Sequence, residues 1–380
     1  MPAKQKNNEN EELENPKAFK HWISEPLVTR IANSIAAQYP DFSRANFLRC
    51  AFFLRPLELK DRVRHVREAL HDHLPKSYPK ALKVILSSAR SGDLQGFDLW
   101  PYSDFIQTYG MEHLDRSLSA LRDLTPLFTS EFAVRPFILK HPQPTMSFLL
   151  GCARSEDLHV RRWASEGTRP RLPWGEKLRP FITDPAPSFS ILEKLKFDEE
   201  LYVRKSVSNH LNDIAKDHPE AVLKILGRWS KLAGKKHAKK IEWIIRRSLR
   251  SLIKNGNPQA LKLIGADPKA KIRVHGLKLR KQTFTMNEKI EFAFRIESDS
   301  KKSQKVVIDY VVHYVKFNHE TTPKVFKLKT FTLEPGQVVG LVKKHPLKPI
   351  TTRRYYGGKH RLEIQVNGRV YASAQWNLEL

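Results

Sequence analysis

Residues 241–280, IEWIIRRSLRSLIKNGNPQALKLIGADPKAKIRVHGLKLR, change periodicity partway along, and the change divides the chain. In IEWIIRRSLRSLIK (241–254) the apolar residues stand three and four apart, which gathers them on one face of a helix. In IRVHGLKLR (272–280) they alternate, as on a half-buried strand. Between the two, GADPKAK (265–271) brings together Gly, Asp and Pro, residues that stop a helix and open a linker. The sequence before this point repeats the helical spacing, in EPLVTRIANSIAAQYP (25–40), RANFLRCAFFL (44–54) and KALKVILSSA (80–89). The sequence after it continues in β-type runs: KIEFAFRIES, QKVVIDYVVHYVK, KVFKLKTFTL, QVVGLVKK, KHRLEIQV and RVYASAQWNLEL bring the total to seven. Met286-Asn287-Glu288, Glu334-Pro335-Gly336, Gly357-Gly358 and the hairpin dipeptide Asn367-Gly368 mark turns between them. Seven short strands in about 110 residues fit an immunoglobulin-like sandwich with Trp376 in its core.

The helical part repeats itself. An acid, two spacers, a β-branched residue and an arginine recur at 131–135, 157–161, 200–204 and 242–246, and a Pro-x-Ala-apolar phrase recurs at Pro79, Pro219 and Pro258. Helix pairs recurring about every 40 residues indicate HEAT-type repeats. The expected fold is therefore mainly α: a HEAT-like α-solenoid with a C-terminal all-β immunoglobulin-like sandwich domain. The expected bounds are a flexible segment over 1–16, the helical-repeat domain over 17–265, a linker over 266–270 and the sandwich over 271–380.

Composition narrows the function. The chain has 380 residues, 67 Lys+Arg against 40 Asp+Glu, and a net charge of +27. Two cysteines, Cys50 and Cys152, cannot staple a chain of this length and sit in apolar runs, as buried thiols do. With 40% hydrophobic residues the chain has enough apolar surface to fold. No segment approaches the roughly 20 apolar residues of a membrane span, and the first fifteen residues hold no signal-peptide core. A cytoplasmic protein associated with the nucleoid is expected. The charge is shared: 23 Lys+Arg against 9 Asp+Glu from Pro268 onward, and 44 against 31 before it. Two separately basic regions suit one polyanion, nucleic acid, better than they suit a protein scaffold.

Candidate residues collect on three stretches. In VRKSVSNHLNDIAK (203–216), Val203, Val207, Leu211 and Ile214 form an apolar side, while Lys205, Asn209 and Asp213 recur every four residues on another. Arg246, Arg247, Arg250 and Lys254 hold comparable positions on the neighbouring helix, so a groove suited to phosphate contacts is expected. In HVRRWASEGTRPRLPWGEKLRP (159–180), Arg161, Arg162, Arg169 and Arg171 accompany Trp163, whose helical phase places it in the core, and Trp174, which lacks that phase and suits a surface or pocket wall. Gly167 and Pro170 end the helix and leave Glu166 in its last turn, against the helix dipole. A salt bridge to Arg162 or Arg169 is one reading of Glu166 and a functional carboxylate the other. Glu131 after Ser130 reads equally as a favoured first-turn acid, and Asp213 as a partner of Lys205 or Lys216. Acids repel DNA, so three of them aimed into one basic groove would need a reason beyond binding. In the third stretch, Arg353, Arg354, Tyr355 and Tyr356 precede Gly357-Gly358: a loop able to enter a minor groove, or a packed corner of the sandwich. No glycine-rich phosphate loop, CxxC or HExxH occurs. A metal-dependent nuclease is disfavoured by the lysines and arginines around the acids.

The order TSEFAVRPF, VRRWASEGTRPRLPW, VRKSVSNHLNDIAK and RRSLRSLIKNG, followed by TTRRYYGGKHRLEIQVNG, resembles the AlkC branch of the AlkC/AlkD bacterial DNA glycosylases. The resemblance runs through nearly the whole chain, ASEGTRPRLPW being its most specific motif and the β domain separating AlkC from AlkD. It implies a monofunctional glycosylase of base excision repair that acts on duplex DNA as a monomer, without metal or cofactor. The implied substrates are small cationic alkylated bases, 3-methyladenine and 3-methylcytosine, reached without the usual full base flipping. By motif, Glu131 and Glu166 are the catalytic carboxylates with Asp213 as a third acid, and Trp174 lies beside the lesion. Arg161, Arg162, Arg169, Arg171 and Lys205 contact the DNA backbone, and the immunoglobulin-like domain grips DNA as well. The chemistry is consistent with these residues. A cationic base leaves without protonation, and fixed carboxylates stabilise the oxocarbenium-like sugar and orient water. The alternative is a non-catalytic HEAT-repeat protein that binds DNA or RNA.

Overall fold

The computed structural model describes residues 18–350 and 353–380; the segment expected to be flexible, 1–16, lies outside them. The described residues form sixteen α-helices and three 3-10 segments up to Leu263, and eight strands from Ile272 onward. Helices pack with neighbours close in sequence, as repeats require. By contact density the chain divides into one unit ending at His210 and a second, Leu211–Leu380, that holds the last helices together with the strands. The helix Leu201–Ile214 crosses this division.

The recurring phrases have structural meanings. Pro79, Pro219 and Pro258 each stand in the first turn of a helix, Tyr78–Arg90, Pro219–Leu232 and Pro258–Leu263, where a missing N–H costs nothing. Asp157 caps Leu158–Gly167, its side chain accepting from the His159 and Val160 amides. Arg161 Nη1 donates to the carbonyls of Ser155 and Glu156, and Arg204 Nη1 to those of Asp198 and Glu199, so two copies of the phrase tie a helix to its preceding loop in the same way. The other two copies differ. Glu131 lies in a turn before Arg135–Lys140, because Pro136 has no N–H to extend the helix backward, and Glu242 lies inside Gly234–Ser248. The expected helix 241–254 begins at Gly234 and breaks at Leu249, resuming as Arg250–Lys254. The run 44–54 is α-helical over Arg44–Leu48 and 3-10 over Arg49–Phe53. Cys50 and Cys152 are both buried free thiols.

Gly265 closes the last helix, Pro258–Leu263. At φ 77° it lets its own amide donate to Lys262 and the Ala266 amide to Leu261, a Schellman closure. The strands that follow are β1 (Ile272–Leu279), β2 (Thr283–Thr285), β3 (Lys289–Ser298), β4 (Gln304–Val315), β5 (Thr321–Leu333), β6 (Val338–Pro346), β7 (Gly358–Val366) and β8 (Arg369–Glu379). They form sheets ordered β1-β3-β6 and β2-β8-β7-β4-β5. The seven expected runs are all present; β2 is the addition, three residues pairing parallel with β8. Phe292, Phe294 and Ile296 of β3 and Ile308, Tyr310 and Val312 of β4 share the core with Trp376, which packs on Phe284 and stacks on His360 at 4.3 Å.

From Val306 onward β4 is buried on both faces, and Asp309 and His313 lie on the face away from that core. The end of the helical region meets this second face. Gln365, paired with Asp309, donates to the Lys254 carbonyl at 3.0 Å, and Lys254 Nζ donates to the Val325 carbonyl at 3.3 Å. The Asn367-Gly368 turn has φ 48° and 78°, the type I′ conformation. Asn367 Nδ2 donates to the Asp267 carbonyl at 2.7 Å, and Gly368 comes so near Gly256 that an added Cβ would lie 2.0 Å from the Gly256 Cα.

Candidate active site and nucleic-acid interface

Glu166 lies at the end of the helix Leu158–Gly167, 5% exposed, with both carboxylate oxygens engaged. Arg169 Nη1 donates to Oε1 at 2.5 Å, with Arg162 Nη2 3.7 Å from the same oxygen, and Ser206 Oγ donates to Oε2 at 2.6 Å. Ser206 also bonds Ser165 Oγ at 3.0 Å. Arg162 joins this acid to the other: Nη1 donates to Glu131 Oε2 and, at 3.0 Å, to Thr129 Oγ1, which itself donates to Glu131 Oε2 at 2.8 Å. Burial opposes the Arg162 charge, but Glu131 and Glu166 outweigh it and hold the guanidinium pKa above its ordinary value. Its guanidinium carbon lies 5.1 Å from the Tyr202 ring centroid. Burial raises the Tyr202 phenol pKa, against the opposing pull of Arg162. Burial and the Arg169 charge together lower His210 to about 3, so this histidine is neutral. Two carboxylates, two guanidiniums and two serines thus make one connected cluster, in which the acids are fixed by charge-assisted bonds.

Both pairings foreseen for Glu166, with Arg162 and with Arg169, are present. Glu131 is not a first-turn acid, for the reason given by Pro136. Trp174 is half-exposed and has φ 64°, a backbone region that a large side chain rarely adopts. Its loop is held at several points: Lys60 Nζ donates to the Trp174 carbonyl, and the fully buried Arg135 donates to the carbonyls of Gly167, Arg169 and Glu176 at 2.9, 2.8 and 2.6 Å. Beside Trp174 is a cavity of about 190 Å³ walled by Trp100 and Phe132, the latter next in sequence to Glu131, with Asp104 and Lys60 as polar lining.

The remaining candidates are placed less uniformly. Arg161 is turned onto Asp198, at 2.7 and 3.2 Å, besides its two carbonyls, and Arg169 is only 6% exposed. Neither has the open position expected of a backbone-contacting arginine, because each satisfies a carboxylate of the fold. Arg171 and Asn209 are half-buried and Lys205 is exposed. In the second unit, Asp213 is buried with Lys216 Nζ 3.4 Å from Oδ1. Arg246 pairs with Glu242, Arg247 lies over the Trp243 ring at 5.6 Å, and Arg250 Nη1 donates to the Arg247 carbonyl at 2.7 Å. In the sandwich, Arg353 lies 3.8 Å from the Tyr314 ring centroid and Tyr355 packs edge-on to the same ring, so this part of the loop is a packed corner. Arg354 is exposed and lies over the Tyr356 ring at 5.6 Å. Sequence reasoning missed Ser206, Thr129 and Arg135. The signal for Ser206 was a polar residue beside Val203 and Val207 on the apolar side of its helix.

Three similarities to known proteins bear on this site. Residues 273–380 match the family model described as the C-terminal Ig-like domain of the uncharacterised protein YhaZ. The uncharacterized protein YhaZ of Bacillus subtilis (strain 168) is 37% identical over 365 residues, 95% of this chain and 99% of the relative. The solved structure of Pseudomonas fluorescens alkylpurine DNA glycosylase AlkC, bound to DNA containing an abasic site analog, superposes with a TM-score of 0.91 at 38% identity, covering 96% of this chain and all of that one. With identity and coverage at this level along both the helical region and the sandwich, the chain belongs to the AlkC family.

Proposed function

We propose that this protein is a DNA glycosylase that hydrolyses the N-glycosidic bond of small cationic alkylated bases, 3-methyladenine and 3-methylcytosine, in duplex DNA. The observation that carries this reading is the cluster joining Glu131 and Glu166 through Arg162, in a chain of the AlkC family. A base alkylated at N3 is already positive and leaves without an acid. The barrier lies in the cationic character that develops at the sugar, and fixed carboxylates stabilise it because their orientation needs no further reorganisation. Glu131 and Glu166 are assigned that role, with Asp213 as a third acid and Trp174 as the aromatic surface beside the lesion. Fixed acids also orient the attacking water. No lysine nucleophile is needed, so release of the base leaves an intact abasic strand.

The backbone contacts of this reading come from Arg171, Lys205, Asn209, Arg246, Arg247 and Arg250 in the helical region, with Arg354 and Tyr356 in the sandwich, while Arg162 holds Glu131 and Glu166. Arg161 and Arg169 act by holding Asp198 and Glu166. The protein works as a cytoplasmic monomer, reaches the lesion without drawing the nucleotide fully into a pocket, and requires no metal. Among the described residues no helix is long and apolar enough to cross a membrane.

A second reading, a non-catalytic DNA-binding protein, is favoured by one observation: both oxygens of Glu166 are already bonded within the protein. Incubation with alkylated duplex DNA separates the two. The glycosylase reading expects free 3-methyladenine and 3-methylcytosine in excess over 7-methylguanine, with no strand nick before alkaline treatment. Binding to the duplex without any base release would support the second reading instead.

A further inference from the structure

From Ala221 to Ile241 the chain carries seven lysines and arginines and no acid. The segment forms the end of the helix Pro219–Leu232, a turn through Gly234 at φ 53°, and the start of the helix Gly234–Ser248. Lys231, Lys235, Lys236 and Lys239 are exposed, and none has a carboxylate within ion-pair distance among the described residues. This arrangement breaks two rules of helix electrostatics. Lys235 and Lys236 lie in the first turn of their helix, where the dipole repels cations, and that turn contains no acid. Lys235 and Lys239 are like charges one turn apart. Local conflicts left without compensation inside the fold mark a surface selected for something outside it. Glu242, which follows the segment directly, pairs with Arg246 and lies 3.8 Å from Lys305.

We propose that this lysine turn and the row Lys236, Lys240, Trp243, Arg247 along Gly234–Ser248 form a DNA-backbone track, built from none of the residues of the acid cluster. The inference rests on duplex DNA being the substrate. The row has helical spacing, and Arg247 is held over Trp243, so its charge is directed rather than freely swinging. At about 1.5 Å per residue it runs about 16 Å, while a duplex presents one negative charge per about 1.7 Å of its axis. The track therefore meets several phosphates and adds affinity independent of sequence and of damage. It retains the enzyme on undamaged DNA during search and takes no part in bond cleavage.

The test uses the full-length protein with Lys231, Lys235, Lys236 and Lys239 all replaced by glutamine. Binding to an undamaged duplex is measured from 50 to 200 mM salt. Each lost phosphate contact lowers the slope of log affinity against log salt by about 0.9, so the slope should fall by about 3 to 4. At the lowest salt the affinity should fall at least tenfold. Single-turnover base release at saturating enzyme should be unchanged, and replacing the same four lysines by arginine should restore the slope. Thermal stability of the glutamine variant should be equal to or above that of the wild type, since repulsion has been removed. An unchanged slope overturns the proposal, as does a drop in the saturated excision rate, which would place these lysines at the reaction centre. If the wild-type protein releases no base yet the slope still falls, the glycosylase reading fails and the track stands.

Discussion

Ser206 occupies the Glu166 oxygen that faces away from Arg169, and its hydroxyl is buried. A hydrogen bond to a charged group contributes about 1.5–3 kcal/mol, and each 1.4 kcal/mol of transition-state stabilisation is about tenfold in rate. Ser206→Ala should therefore slow single-turnover base release by at least about tenfold while the protein still folds and binds DNA; an unchanged rate would show that Oε2 needs no orientation. The position of Glu166 was legible because Gly167 and Pro170 announce the helix end. Its partners were legible only in part. Arg162 and Arg169 follow from spacing along one helix, whereas Ser206 comes from another element, and packing decides which polar residue of a facing helix meets an acid. The arginines show the same limit. A long side chain on a helix can turn inward to a carboxylate, as Arg161 does to Asp198, or outward to solvent, and the spacing is identical in the two cases.

The Asn367-Gly368 hairpin joins the sandwich to the end of the helical region through hydrogen bonds and a glycine–glycine approach. Gly336 provides a matched control: its φ of 67° is similar, but nothing lies near an added Cβ. Gly336→Ala should cost about 1 kcal/mol from backbone strain alone. Gly368→Ala should cost at least about 2 kcal/mol more, because the turn must withdraw from Gly256; equal losses in urea denaturation would mean that the approach contributes nothing. Asp309 lies on the sheet face that the helix end covers. Burial raises its pKa from 3.8 to about 6, although Lys254 and Lys327 oppose the shift. A carboxyl with a raised folded-state pKa is bound more tightly to its proton in the folded state, so its contribution to stability falls as pH rises from about 4 to about 6 and stays low above that. Asp309→Asn should remove this slope and stabilise the protein at pH 8 by on the order of 3 kcal/mol. Wild-type and variant stability curves that run parallel between pH 4 and 8 would contradict it. Most elements were legible because Pro, Gly and alternation are local signals. The three residues of β2 were not, since TFT is too short to show a period and its partner strand is about 90 residues away. The break at Leu249 was hidden by apolar spacing that continues through it.

The whole molecule carries +27, shared between its helical region and its sandwich, and belongs to a family with a DNA-bound glycosylase structure. That two-part architecture was readable from periodicity alone. What the charge does could not be read from its total, because Lys231, Lys235, Lys236 and Lys239 and the arginines around Glu166 contribute alike to the sum yet differ in surroundings. The former are exposed and conflict with their helix; the latter are bonded to acids within the protein. The central claim is that the minority charge, the buried carboxylates, breaks the glycosidic bond. Its most direct test is single-turnover release of 3-methyladenine from alkylated duplex DNA by Glu166→Gln, with affinity for the same duplex measured in parallel. The account predicts that base release is lost while affinity stays within a few-fold of wild type; release at the wild-type rate would contradict it.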